Sequence, residues 1–419
     1  MPEVEGTART PAGKNLRQEF WIQGLRRSGA PYLSALFATV VVAQFAQYLW
    51  PTAIVLKGQP AGVVAQFFGF GVAVVLWWLY RPTDWWPRAF DWLVGAWASL
   101  WVVTVGLSVL HGDLFNLTAI LVLPSLAMIW LKKPSLPAIF TSGDSFALAL
   151  VLVALASQLL DFAGIKELHY EGWNRWPLLT DITGPIGRWE GPFGNVNYAG
   201  PIGAFLVVWG LLRPDWLRAL FVVAGATIIL ASDSRTSMLS CAVGVATLIA
   251  LAPKLGSFRT PLLLRVAAPV AVALAFGGYV LVIDPTLNLR TPVWEFFLSQ
   301  WRTSPVSGVG ASGIQSAIDA GSLQSWANHG HNLVIDPLMR YGLLGVVALI
   351  SVIFISGVIA TKGARLGFAA SEVLLAACLA DGVSEDLVDW RYLGVQAVPL
   401  LLAGLLGAAW LAQARREKT

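Results

Sequence analysis

Long apolar runs separated by short polar stretches recur along almost the whole chain after its first thirty residues. A helix needs about 20 mostly apolar residues to cross a bilayer. The predicted fold is therefore an all-α polytopic membrane protein, with one transmembrane domain at 32–412 between tails at 1–31 and 413–419. The pattern predicts twelve transmembrane helices, at 32–50, 61–80, 91–110, 115–131, 145–164, 198–212, 216–232, 236–252, 262–283, 333–361, 366–380 and 392–412.

Composition agrees with this pattern, since 56% of the residues are hydrophobic and only 12% are charged. Soluble domains carry about 25% charged residues. The net charge of +4 does not indicate nucleic-acid binding, because no basic cluster is interleaved with aromatic residues on a soluble domain. Cys241 and Cys378 fall inside apolar runs, where we expect small buried side chains and neither a disulfide framework nor a metal site.

The basic residues orient the predicted helices. With the N-terminus in the cytoplasm, about two thirds of the 28 Lys and Arg residues fall in cytoplasmic segments, as the positive-inside rule requires. Both termini are then cytoplasmic. The cytoplasmic loops are too short for a nucleotide-binding domain, and the two long loops, 165–197 and 284–332, are external. We therefore expect the active face on the outside.

The second long loop and its junction with the next helix hold residues suited to chemistry. A neutral imidazole such as His331, with an ordinary pKa near ~6.5, can accept a proton from a hydroxyl group. Asn332, Asp336 and Arg340 follow at helical spacing and share one stripe. The alternative is an ordinary helix start with Asn332 near the cap and an exposed ion pair. His329 and His169 are interpreted as loop residues.

Three arginines, Arg188, Arg235 and Arg290, lie at external membrane boundaries. An arginine at membrane depth costs roughly 2.5–3.5 kcal/mol on insertion scales, so it needs a partner. For Arg235, either Asp233 or an anionic ligand is a candidate. A single boundary arginine is usually a snorkelling anchor, but three on one face favour an anion site, because guanidinium groups match phosphate oxygens.

An acidic segment between the last two predicted helices is interpreted as solvated, or as a border of a sugar pocket or a partner for the arginines. Its charged residues are Asp381, Glu385, Asp386, Asp389 and Arg391.

These residues resemble the bacterial O-antigen ligase and polymerase superfamily of membrane glycosyltransferases over roughly residues 188–345. His331-Asn332, nine residues and then Gly342-Leu-Leu-Gly345 fit its H-N-x9-G-x-x-G signature. Further matches, in the family's order, are a G-x-F-x-N-x-N-like helix entry ending at Asn197, the pair Ser234-Arg235, Arg290-x3-Trp294, and Pro305-x2-Gly308-x-Gly310. The chain departs from the pattern at Arg340, where many relatives carry glutamate; Asp336 is the alternative carboxylate.

The resemblance implies a GT-C-like inverting enzyme of cell-envelope polysaccharide biosynthesis, without metal or other cofactor, in the bacterial cytoplasmic membrane. Its donor would be a glycan on a polyprenyl diphosphate such as undecaprenyl diphosphate, and its acceptor a glycan, lipid or protein at the periplasmic face. On the matching positions, Arg235, Arg290 and Arg188 would hold the diphosphate. His331 would orient or deprotonate the acceptor, with Asn332 and Arg290 beside it in the catalytic group. Asp336, Arg340 and Asn197 would line the acceptor pocket.

Three distinctions within this interpretation remain to be made. Ligase and polymerase differ only in the acceptor, and the signature is closer to the ligase branch. A flippase or transporter of lipid-linked saccharides would show two related halves with matching broken helices, but the two long loops do not fall at corresponding positions of the two halves. A peptidoglycan polymerase of the shape and division type would need a catalytic carboxylate, for which Glu295 and Asp319 are poor candidates.

Overall fold

Helices make up nearly all of the regular structure in the computed structural model. The helices are α1 (Pro31–Leu49), α2 (Ala61–Leu79), α3 (Arg88–Leu110), α4 (Val122–Lys132), α5 (Leu136–Phe162), α6 (Val196–Leu211), α7 (Leu217–Ser232), α8 (Arg235–Ala250), α9 (Arg290–Trp301), α10 (Gly310–Asp319), α11 (Ile335–Arg365), α12 (Ala370–Gly382) and α13 (Ala397–Arg416). The structure describes residues 30–49, 54–56, 59–79, 88–113, 117–165, 169–170, 188–193, 196–251, 267–275, 278, 290–324, 327, 329–383 and 395–416.

Short elements complete the described chain. Two 3-10 turns are formed by Leu117–Leu121 and Gly191–Phe193. Strands β1 (Ile54–Leu56) and β2 (Gln59–Pro60) pair antiparallel, as do β3 (His169–Tyr170) and β4 (Arg188–Trp189). Residues 267–275 are also helical.

The helices confirm an all-α membrane protein. Within the described residues, α3, α5, α11 and α13 are long and apolar enough to cross a bilayer, and six further apolar helices are shorter. The number of spans and their orientation stay predictions. The N-terminal tail, most of the ninth predicted helix and most of the loop at 165–197 lie outside the described residues.

Two helix ends differ from the predicted ones for identifiable reasons. Helix α5 begins at Leu136, nine residues earlier than predicted, because its polar first turns are buried against other helices. Helix α13 continues to Arg416. The two arginines in its last turn stabilise this end of the helix, because positive charges interact favourably with the negative end of the helix dipole. The predicted C-terminal tail is therefore helical in part.

The core is an apolar helix cluster around α13. Side chains from α1, α3, α5, α6, α11 and α12 pack with it in one continuous cluster, and Leu402, Leu405 and Leu406 of α13 have no exposed surface. Helices α6 and α7 approach closely through glycines, since a Cβ on Gly225 would lie 2.5 Å from the carbonyl oxygen of Gly203. Small residues at such contacts are typical of helices that associate within membranes.

At the end of α6 the core contains a buried charge cluster. Arg213, 2% exposed, lies 3.1 Å from an Asp144 carboxylate oxygen and 2.9 Å from one of Asp215. Trp209 donates to Asp144 at 2.9 Å. These contacts join α5, α6 and the start of α7, so the polar turns of α5 have partners inside the bundle.

The described part of the second long loop contains two short helices, α9 and α10. Val293 and Phe297 of α9, Ile314 of α10 and Met339 of α11 share a small hydrophobic cluster. This cluster is separate from the main core and lies beside the start of α11.

Candidate functional site

Asn332 caps the helix that follows it. Its Oδ1 accepts hydrogen bonds from the backbone N–H groups of Val334 and Ile335 at 2.8 and 3.0 Å. Its Nδ2 donates to the carbonyl oxygen of Val383 at 2.6 Å, which ties the start of α11 to the end of α12. The structure thus gives Asn332 the capping function that was the alternative in the sequence analysis.

Gly330, between the two histidines, is held on both sides. Its N–H donates to Asp336 Oδ1 at 2.8 Å, and its carbonyl oxygen accepts from Trp294 Nε1 at 2.7 Å. A Cβ at this position would lie 2.9 Å from the backbone nitrogen of Asp336, so a side chain does not fit. Because Trp294 lies one helical turn after Arg290 on α9, the same bond brings the start of α9 to this segment.

The predicted ion pair on the α11 stripe exists, but it is not exposed. Arg340 Nε donates to Asp336 Oδ2 at 2.8 Å, with the two side chains 15% and 3% exposed. Both oxygens of Asp336 are therefore occupied, one by Gly330 and one by Arg340. Their observed function is to fix the loop, and contact of either residue with an acceptor stays a prediction.

His331 adopts an unusual backbone conformation in this fixed segment. Its φ is +44°, a region that non-glycine residues rarely occupy, and the residue is 7% exposed. The ring of His329 lies edge-on to that of His331, with centroids 3.8 Å apart and planes at 77°. On its other side, His329 is 6.4 Å from the Tyr198 ring of α6.

His329 is a loop residue, as interpreted from the sequence, but its contact with the His331 ring was not expected. The only signal in the sequence was the H-G-H spacing, two residues before the family motif. That spacing does not determine a ring contact, because side chains two residues apart in an extended segment lie on the same face but about 6.6 Å apart. The left-handed φ of His331 departs from that extended geometry, and the two rings lie closer together.

The loop from Pro305 to Gly310 fits into a break in α11. Gly342 has φ +61° and ψ −158°, so the helix is interrupted there. The N–H groups of Leu343 and Leu344 donate instead to loop carbonyls, those of Pro305 at 2.9 Å and Val306 at 3.2 Å. Two motif elements that lie far apart in sequence therefore form one structural unit.

The start of α10 is fixed by a residue that the sequence did not single out. Asp113, in the turn after α3, accepts from the backbone N–H of Ala311 at 2.9 Å and of Ser312 at 2.7 Å. A Cβ on Gly310, whose φ is +73°, would lie 2.7 Å from Cβ of His111. The second long loop is thereby attached to the end of α3.

Arg188 and Arg235 lie at the same turn, between α7 and α8. Arg188 donates to the carbonyl oxygens of Ser232 at 2.9 Å and Asp233 at 3.2 Å, and so satisfies the end of α7. Arg235 is the first residue of α8, directly after the Ser234 N-cap. Arg188 thus binds backbone carbonyls in this structure, and its predicted contact with a diphosphate stays a prediction.

The start of α6 connects this turn to the histidines. A Cβ on Gly200 would lie 2.4 Å from Ser234 Cβ, so α6 and α8 touch at the arginine turn. Two residues earlier, Tyr198 contacts His329, and Asn197 precedes Tyr198 on the same helix. These contacts link the helix starts and turns that carry the predicted site residues, and a joint site formed by those residues stays a prediction.

Glu190 follows Arg188 by two residues in sequence, and both residues are partly buried. Burial raises the pKa of the Glu190 carboxyl, and the positive charge of Arg188 partly opposes this shift. Since Glu190 precedes the entry to α6, a titratable acid borders the arginine turn.

A small, partly open cavity lies between α5, α6, α8, α12 and α13. Its wall is mostly apolar and includes Phe205, Cys378 and Asp381. Asp381 is 2% exposed, so its interpretation as part of a solvated loop was wrong; α12 continues through it to Gly382. The other charged residues of that acidic segment lie outside the described residues.

Both cysteines are free thiols, Cys378 buried and Cys241 partly so, which confirms the prediction that they form no disulfide.

Comparison with known proteins agrees with the motifs. The O-antigen ligase family model matches residues 219–350, from the first turn of α7 to the middle of α11. This range contains Arg235, Arg290, His331 and Gly342, whereas Arg188 and Asn197 precede it. No curated protein matches the chain. The match covers about a third of the chain and supports the O-antigen ligase superfamily that the motifs indicated.

Proposed function

We propose that this protein is an O-antigen ligase-like glycosyltransferase that transfers a glycan from a polyprenyl diphosphate to an acceptor hydroxyl at the outer face of the cytoplasmic membrane. The observation that carries the proposal is the linked region described above. In this region His331 is nearly buried in a fixed loop. The first turns of α8 and α9, which begin with Arg235 and Arg290, are connected to that loop. Most of the region lies within the matched family domain.

The donor diphosphate would be held by Arg235 and Arg290. Both begin helices, where backbone N–H groups and the positive end of the helix dipole add to the attraction for an anion. Arg188 would support this site from the side of the α7 carbonyls.

In the proposed reaction the acceptor oxygen attacks the anomeric carbon and forms the new glycosidic bond with inversion. The bond between that carbon and the diphosphate oxygen breaks, and the electron pair leaves with the diphosphate. The hydroxyl proton passes to His331. Fixed guanidinium groups stabilise the developing negative charge where it appears, and a metal-independent reaction remains our prediction.

One observation bears on the rival transporter function, namely the interruption of α11 at Gly342. A transporter built from repeats would show a corresponding break in its first half. No residue within the described helices α1–α5 has a positive φ, so those helices carry no comparable glycine break. The interruption instead serves the loop at Pro305–Gly310, which favours the transferase.

The decisive experiment uses the full-length protein in proteoliposomes with lipid-linked glycan and a total membrane extract, as the source of acceptor, from the cells that carry it. We expect release of free polyprenyl diphosphate, unchanged by a chelator, and none from the His331→Ala variant although that variant still binds polyprenyl diphosphate. Movement of intact donor across the bilayer without release would support the transporter. Loss of diphosphate binding in His331→Ala would place His331 in the anion site instead.

A further inference from the structure

We propose that His329 is a positioning residue, whose ring fixes the orientation of the His331 imidazole toward the acceptor hydroxyl. The inference rests on the proposed function, because it assigns His329 a part in the reaction of His331. It is carried by ring geometry and by the backbone between the two residues.

The two rings are closer than most aromatic pairs. Edge-to-face pairs usually have centroids about 4.5–7 Å apart, whereas those of His329 and His331 are 3.8 Å apart at an interplanar angle of 77°. At this distance the two imidazole rings touch, so rotation of the His331 ring about its last side-chain torsion changes its contact with His329. That torsion is otherwise broad for histidine, so the neighbouring ring removes a freedom that the side chain would have alone.

The backbone does not allow the pair to separate. Gly330, which joins the two residues, is bonded through its N–H to Asp336 and through its carbonyl oxygen to Trp294. His331 is at φ +44°, which fixes the direction in which its Cβ leaves the chain. The remaining freedom is rotation of the His331 ring, and this is the freedom that His329 restricts.

The His329 ring also lies close to an aromatic ring of α6. The ring of Tyr198, in the first turn of α6, lies 6.4 Å from it at an interplanar angle of 41°. The α6 start is also packed on the arginine turn through Gly200 and Ser234. His329 therefore lies between the element next to the arginines and the histidine proposed to contact the acceptor.

The kinetic test compares His329→Ala with His329→Phe, which keeps a ring, in the release assay with extracted lipid-linked glycan. A misplaced reacting group can cost about 10²-fold in rate. We expect His329→Ala to lower kcat by about that factor with the donor KM unchanged, and His329→Phe to restore most of it. Gln315→Ala, an exposed site on α10, is the control and should behave as wild type.

Three kinetic outcomes overturn the inference: wild-type kcat in His329→Ala, a loss confined to KM, or a Phe variant as slow as the Ala variant. The last outcome would mean that the ring contact is not what matters. A melting curve for each variant checks that the loss of rate is not a loss of folded protein.

A spectroscopic test is independent of turnover. The chain has four histidines, so protein labelled with 13C in its histidine rings gives a simple spectrum. The His331 signal, identified by its disappearance in His331→Ala, should shift and broaden in His329→Ala and recover in His329→Phe. An unchanged signal in His329→Ala would refute the contact.

The two tests separate the failure of the inference from that of the proposed function. If wild type releases no polyprenyl diphosphate but the His331 signal still responds to His329→Ala, the transferase proposal fails and the ring contact stands. If wild type is active and neither readout responds to His329→Ala, the positioning inference alone is wrong.

Discussion

Replacement of Gly342 by alanine tests whether the break in α11 is required. At φ +61° and ψ −158°, the residue occupies a region that is essentially restricted to glycine. A Cβ there would lie 2.3 Å from the carbonyl oxygen of Val306 and 2.6 Å from the backbone nitrogen of Gly308. Because these are backbone atoms, the loop cannot yield by rotating a side chain.

The expected cost follows from these contacts. The backbone conformation contributes about 1–3 kcal/mol, and strain on the two loop-to-helix hydrogen bonds, from Leu343 and Leu344, adds about 1 kcal/mol each. A total of about 3 kcal/mol would lower the melting temperature by roughly 5 °C. Since the loop also fixes the helix that follows His331, transfer activity should fall as well.

Gly357→Ala provides a matched control on the same helix. A Cβ at Gly357 meets nothing within 4 Å, and alanine is favoured over glycine in a helix by about 0.5–1 kcal/mol. Melting curves in one detergent at one scan rate should therefore place Gly357→Ala at or above wild type and Gly342→Ala clearly below it. Equal melting temperatures and activities for Gly342→Ala and wild type would refute the reasoning.

Three further predictions concern charges. Arg290→Lys should lower kcat/KM about 10²-fold, because a point charge does not replace a guanidinium fork, whereas the exposed Arg302→Lys should not; equal effects would contradict a diphosphate site. Asp336→Asn keeps an acceptor for Gly330 but leaves Arg340 without its counter-charge, so it should destabilise by about 3 kcal/mol, and an unchanged melting temperature would show the pair to be dispensable. Glu190 has a raised folded-state pKa, so its contribution to stability is complete below the unfolded-state pKa and is lost as pH rises through the folded-state value. The melting temperature of Glu190→Gln should therefore increase relative to that of wild type as pH rises. A difference that decreases with rising pH would contradict the raised pKa.

The helices were predictable from the sequence because about twenty apolar residues in succession have few other folded states available. The pattern failed where polar residues find partners inside the bundle. Asp144 interrupts the apolar run, yet it lies within α5 because Trp209 and Arg213 satisfy it. Such partners come from other helices, and the local pattern does not contain them.

The site was predictable only as a set of residue types. Motif spacing identified His331, Arg235 and Arg290, and the helical stripe identified the pairing of Asp336 with Arg340. The contribution of Asp113 depends on a contact with Ser312, 199 residues away in sequence, which no local pattern specifies. The contribution of His329 depends on a left-handed backbone at the next histidine, which the residue type does not reveal.

The motif residues divide by what the structure makes them do. Asn332 accepts hydrogen bonds from the first N–H groups of α11, and Gly330 and Gly342 permit close backbone contacts. Carbonyl oxygens of the loop at Pro305–Gly310 accept hydrogen bonds from N–H groups that have no partner within the interrupted helix. An interrupted helix at a membrane boundary needs such partners, because unsatisfied backbone groups cost several kcal/mol each away from water. Most of the signature therefore fixes the break in α11 and the loop beside it, and the proposed reaction falls to His331 and the arginines. Substitutions in the first group should consequently change melting temperature together with rate, whereas those in the second should change rate alone.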